Sequence, residues 1–302
     1  MNMSNPSKQR GLRARKPAAS KSANSKKPVR SAARLRAPVA EKRPVSTVRH
    51  GVAIVDDYAW LRAENWQDVL RDGKQLPADI RAYLEAENQY TAQVLTETKS
   101  LQRKLVRELR GRIVEDDEGV PAPDGPWAYY HRYREGADHP LICRKPRDGG
   151  RGQTLLDSDR LAKGKRFFDL GETSHSPSHT LLAWSADEAG SEFHTIRVRD
   201  LKTGKDLPDQ IDDTDGDIVW TANSRAFYYT RVDEKCRPRS IYRHTLGSDP
   251  ADDVLIYHEK GTRWHMNLNQ TQSGRFAMIE IADQETSEVW LIDLRKSNAS
   301  AV

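Results

Sequence analysis

Two cysteines in 302 residues, Cys143 and Cys236, are too few for a disulfide framework. Neither has metal-ligand spacing, so both read as reduced thiols. No run of 18 apolar residues occurs, which excludes a membrane-spanning helix. The amino terminus also lacks the apolar core of a secretory signal, and a cytoplasmic location is expected. Glycine is sparse in the patterns that cradle phosphates. Gly149-Gly150-Arg151-Gly152 is a glycine-rich turn without a P-loop or dinucleotide fingerprint around it. The pentapeptide G-x-S-x-G, whose strained turn exposes a nucleophilic serine, is absent from all 302 residues.

Acidic charge is nearly missing from the first 50 residues. They hold 14 of the 49 Lys and Arg but one of the 44 Asp and Glu, a net of +13, which leaves −8 on the remaining 252. Residues 1–47 contain no Phe, Trp or Tyr and five prolines. Such a segment buries too little apolar surface to offset chain entropy, so 1–47 is expected to be a disordered basic tail. It could contact anionic polymers through counterion release, but it lacks the aromatics that stack on bases. Nucleic acid is therefore not the expected partner, and the prolines argue against a mitochondrial presequence.

What is present falls into two further zones. Residues 48–112 read as a helical arm. Tyr58, Trp60 and Trp66 form an aromatic cluster expected to anchor on a neighbouring domain, with Asp56 or Asp57 capping a short helix. From Pro77 to Arg110, Ile80, Tyr83, Leu84, Tyr90, Val94, Leu101, Leu105 and Leu109 recur at three- and four-residue steps or their sums. The pattern loosens at 96–100, so one helix or two fit equally, with Gly111 as the stop.

Residues 113–302 switch to strand periodicity. Residues 127–133 and 141–145 read as a hairpin. Three units then repeat a polar turn and an apolar strand, anchored at Leu181, Phe227 and Phe276, which lie 46 and 49 residues apart. Each is followed by a second strand, anchored at Ile196, Ile241 and Val289, with spacings of 45 and 48. A period of 45–49 with several strands per unit predicts β-propeller blades. About three to four units fit before Val302, so the expected fold is mainly β: an incomplete β-propeller, the front part of a longer design, preceded by the arm and tail.

No residue in this chain is expected to be catalytic, to bind a cofactor or to ligate a metal. Ser176, Ser178, His175, His179 and Asp187 are neighbours in sequence but sit in a turn. His175 and His179 have the i, i+4 spacing of a zinc helix, yet Pro177 lies between them and no Glu follows the first. The acids at 115–118 and 212–215 lack the spacing and closing Glu of a calcium loop and read as solvated loop acids.

Asp56-Asp57-Tyr58-Ala59-Trp60-Leu61-Arg62 resembles the D-x-Y-x-W-L-R signature near the start of prolyl oligopeptidase family serine peptidases. The resemblance continues through 83–88, 111–113, 133–136 and 191–204. Residues 229–234, Arg237-Pro238 and 244–250 look most like the oligopeptidase B branch. It spans about residues 48–295 and implies a helical arm, a propeller and a following α/β-hydrolase domain that carries Ser, Asp and His. It also implies cleavage of oligopeptides after Lys or Arg, with the propeller as a size filter. Because that hydrolase domain is absent here, the chain is expected to be inactive alone. Oligopeptides are then substrates only if the domain is supplied, as by docking to a separate catalytic chain. The alternative is a free-standing propeller-like interaction module.

Overall fold

The computed structural model describes residues 35–296 and 301; residues 1–34 of the tail lie outside that range. Strand β1 (Val45–Arg49) pairs antiparallel with β2 (Val52–Asp56) across His50-Gly51, both at positive φ. Ahead of it, Arg43 N donates to Asp57 O at 2.8 Å and Trp60 Nε1 donates to Glu41 O at 2.8 Å. A boundary at 47 therefore falls inside an ordered hairpin. Tail composition, averaged over many residues, hides the short Val45/Val48 strand that pairs with a segment beyond it.

The 3-10 turn Ala59–Leu61 has Tyr58 as N-cap and no side-chain cap: Asp56 accepts from Tyr58 N just before it, at 2.8 Å, and Asp57 pairs with Lys42 at 2.7 Å. Trp60 packs within the arm, edge-on to Tyr83 and under Arg43, rather than on another domain; Tyr58 is exposed. Helix α1 (Trp66–Arg71) supplies the anchor instead. Arg71 pairs with Asp213 at 2.7 Å and lies over the Phe193 ring. Two longer helices follow, α2 (Ala78–Val94) and α3 (Lys99–Arg110), split by a 3-10 turn at Leu95–Thr98 where the apolar period loosens. Pro77 is the N-cap and Gly111 the C-cap.

The strands then build successive antiparallel units. The first holds β3 (Ala122–Asp124), β4 (Trp127–Arg132), β5 (Leu141–Pro146) and β6 (Gln153–Asp157). A short helix, α4 (Ser158–Ala162), leads to β7 (Asp169–His175), β8 (Leu181–Asp187) and β9 (His194–Asp200). The 16-residue β10 (Lys205–Trp220) pairs with β9 through its first part and with β11 (Ala226–Val232) through its last, so it closes one unit and opens the next. That next unit is completed by β12 (Pro238–Thr245) and β13 (Val254–His258), and β14 (His265–Gln270), β15 (Phe276–Ala282) and β16 (Ser287–Asp293) pair in a further one. The six strands expected from the repeat are β8, β9, β11, β12, β15 and β16, the second and third of their units.

The core lies between units. Leu182, Trp184 and Ala186 of β8 pack on Ile142, Leu155 and Leu156 of the first unit, whereas the alternate Ala183 packs with Ile196, Trp220, Phe227 and Tyr229. Period-two alternation thus buries both faces of one strand in different interfaces, which is why β8 is apolar throughout. Tyr228 and Ile241 likewise face Ala277, Ile279 and Ile281 of the next unit.

Candidate functional site

The first strand of each unit sits beside that of the next. Trp220 Nε1 donates to Ser174 O at 2.9 Å, tying β10 to β7, and Leu268 N donates to Asp217 Oδ2 at 3.2 Å, tying β14 to β10. These first strands are polar, and they bring three carboxylates together: Glu172 of β7 with Asp215 and Asp217 of β10. Behind them, Ser185 Oγ accepts from Glu172 N at 2.9 Å and donates to Gly216 O at 3.2 Å. Gly216 lies at φ +105°, and a Cβ there would come within 2.8 Å of Ser185 Oγ, so glycine is required for this approach. Burial, then the charge of Asp217, pushes Glu172 up to about 7; the carboxyl still keeps solvent contact. The same two causes in the same order raise Asp215, and burial raises Asp217. The acids at 212–215 are therefore not loop acids: they belong to β10, where Asp213 holds the arm and Asp215 turns inward. The stretch at 115–118 is used in ion pairs, Glu115 with Arg110 at 2.9 Å and Glu118 with Lys145 at 3.5 Å.

A second cluster joins the first two units. His175 Nε2 lies 2.8 Å from Asp124 Oδ2, and His179 Nδ1 lies 2.8 Å from the Tyr129 hydroxyl. The Tyr129 ring stacks on His175 with centroids 3.7 Å apart. Burial lowers the His175 pKa against the opposing pull of Asp124, which favours the neutral ring.

The neighbouring serines do other work. Ser176 Oγ is 3.0 Å from Ser178 Oγ and accepts from Leu181 N, and Ser178 Oγ is 2.7 Å from Thr180 Oγ1. Asp187, at the far end of β8, accepts from the amides of Ala189, Gly190 and Glu192. Sequence proximity thus does not become a Ser–His–Asp relay. A Ser–His contact does occur between Ser240 Oγ and His258 Nδ1 at 2.8 Å, a cross-strand pair of β12 and β13. Buried His244 bridges Asp209 at 3.0 Å and Asp253 at 2.8 Å. Burial opposes its charge, but the hydrogen bonds that Asp253 and Asp209 accept from it outweigh burial and raise the pKa. Gly149–Gly152 turns β5 into β6, with Gly149 and Gly150 at positive φ.

Glu172, Asp217, Asp124 and His244 belong to three separate clusters that the sequence does not announce. The one trace of them in the sequence is short polar segments, with Gly171 and Gly216 beside the acids, between the apolar repeats.

On the arm, Leu101, Leu105, Val106 and Leu109 of α3 are all exposed, although the helix carries a marked apolar stripe.

Antiparallel units of three or four described strands, stacked face to face beside polar first strands, define a β-propeller domain, here with a helical arm. The sequence matches the description "Prolyl oligopeptidase, N-terminal beta-propeller domain" over residues 37–302, and the chain belongs to that family. It is 31% identical to dipeptidyl aminopeptidase BI of Pseudoxanthomonas mexicana, matching 83% of this chain and 36% of that one. It is 27% identical to protease 2 of Moraxella lacunata, over 86% and 37% respectively. Oligopeptidase B from Leishmania major superposes with a TM-score of 0.80 at 25% identity, covering 89% of this chain and 39% of that one. The chain thus spans little more than a third of the length of these relatives. Among the described residues, no helix is long and apolar enough to cross a membrane.

Proposed function

We propose that this chain is the arm-and-propeller portion of an oligopeptidase B-type serine peptidase. In this reading the blades admit oligopeptides and exclude folded proteins, the α3 stripe seats a hydrolase domain, and cleavage after Lys or Arg takes place on that domain. The observation that carries it is the superposition of arm and blades together on oligopeptidase B, over 89% of this chain. The body charge of −8 and the carboxylates Glu172, Asp215 and Asp217 suit a vestibule that draws in basic peptides. Free Cys143 and Cys236 suit a reducing compartment, and we assign the cytoplasm.

In this reading the nucleophile and its base belong to the hydrolase domain, and the chain by itself does not hydrolyse peptides. The test is a fluorogenic Arg-amide assay, run on the chain alone and on a chimera in which residues 37–302 replace the matching segment of the Pseudoxanthomonas relative. The expected result is no turnover above a mock preparation for the first and cleavage of short basic peptides by the second. Turnover by the chain alone overturns the reading. Because that relative is named a dipeptidyl aminopeptidase, dipeptide amides form a parallel arm; dipeptide release without internal cleavage after Arg would replace the specificity assigned here.

A further inference from the structure

We propose that Asp124, His175 and His179 form a binding site for one borderline divalent metal ion, zinc being the probe of choice, which staples the first two blades together. One ligand atom from each of the three lies within 4.8 Å of those of the other two. Zinc bonds of roughly 2.0–2.2 Å place ligand atoms roughly 3–3.6 Å apart in a tetrahedral site, so the approach needed is about 1 Å. Two imidazoles and a carboxylate select zinc, nickel or cobalt over magnesium and calcium, which prefer oxygen throughout.

The ligands come from two blades. Asp124 ends β3, His175 ends β7, and His179 lies in the turn leading to β8. The i, i+4 spacing of the histidines is therefore realised by a reversing turn, not a helix, and the third ligand stands 51 residues before the first histidine. That separation is why the sequence pattern predicts no metal there.

The surrounding side chains orient the ligands. Tyr129 holds both rings: it stacks on His175, and its hydroxyl meets His179 Nδ1, which leaves Nε2 of His179 as the free ligand atom. His179 occupies the left-handed region at φ +58°, an unfavourable place for a non-glycine residue. It is kept there by His179 N donating to Ser176 O at 2.8 Å and by Arg144 Nη1 donating to His179 O at 2.6 Å. A Cβ at Gly125 would collide with His179 Nε2, so only glycine lets that ring approach the end of β3. Arg144 is the cation beside the cluster. Its Nε donates to Gln153 Oε1 at 3.0 Å and its guanidinium lies over the Trp127 ring. The Asp124 side chain is 61% exposed and His175 24%, so an ion can enter from solvent and complete its coordination with water.

The test uses the untagged full-length chain, stripped with chelator and titrated with zinc by calorimetry, with cobalt absorption as a second readout. The expected result is one equivalent bound, tetrahedral or five-coordinate cobalt bands, and a higher melting temperature with zinc but not with magnesium. Asp124→Asn and His179→Gln should each weaken binding at least tenfold. Asp124 lies on the surface, so its variant keeps the fold, which its unliganded melting temperature verifies. Stoichiometric binding that all these variants retain, or no binding at tenfold molar excess of zinc, overturns the site. Neither result depends on peptidase activity.

Discussion

At the scale of single residues, a half-buried acid and a buried histidine make opposite demands on pH. Asp215 is raised from 3.8 to about 7 by burial and by Asp217. An acid whose pKa is higher in the folded state costs stability progressively as pH rises from the unfolded value to the folded one. Glu172, Asp217 and His194 are the charged or titratable groups around it, and Asp217 shares the penalty. Asp215→Asn should therefore raise the melting temperature at pH 8 and leave it nearly unchanged at pH 3.5; a gain of the same size at both values would contradict the assignment. His244 has the reverse sign. Its raised pKa contributes stability that is fully present below about 6.5 and fades as pH climbs through the folded value. His244→Leu strands Asp209 and Asp253 in the interior, where losing one partner of a buried pair costs about 3–5 kcal/mol. Urea unfolding at pH 6 measures it, and a loss under about 1 kcal/mol would mean that the two acids take up protons or water instead.

At the scale of elements, the first strands of the units are the parts least legible in sequence. β8, β11 and β15 declare themselves because each must satisfy an apolar interface, and Leu181, Phe227 and Phe276 keep the unit period. β7 is mostly polar, β14 shows alternation only through Met266 and Leu268, and β10 crosses between units, so hydropathy marks these strands weakly. The carboxylates sit on just these elements, and the Asp124–His175 pair spans two units, so the blades were readable while the clusters they assemble were not. Close approach at the axis makes its own prediction. Gly274, in the turn before β15, has φ +67°, and a Cβ added there would meet nothing nearer than 3.9 Å, whereas Gly216 has both the positive φ and the Ser185 contact. Gly274→Ala should cost about 1 kcal/mol from backbone strain alone, and Gly216→Ala distinctly more. Equal losses in urea midpoint would show that β10 relaxes away from β8.

At the scale of the whole molecule, apolar surface is left uncovered in three places. The α3 stripe offers Leu101, Leu105, Val106 and Leu109 to solvent. β13 exposes Val254 and Leu255, and β16 exposes Val289 beside a strand edge that, among the described residues, pairs only with β15. On β15 the alternation is one-sided, with Ala277, Ile279 and Ile281 buried against the preceding unit and Phe276 and Met278 half-buried on the other face. Contiguous apolar surface of this kind, next to unpaired backbone, drives association unless a partner covers it. Studied as 302 residues in isolation, the chain should elute from size exclusion as a concentration-dependent mixture, and its melt should be broad. Leu105→Lys together with Leu109→Lys should shift that mixture toward monomer without lowering the melting temperature, because neither side chain is buried in the fold. The competing idea of a free-standing interaction module requires the opposite: a monodisperse monomer with a sharp melt that the two lysines leave untouched. That outcome would mean the arm and the last blade need no covering domain, and the peptidase assignment would lose its physical reason for an exposed helix.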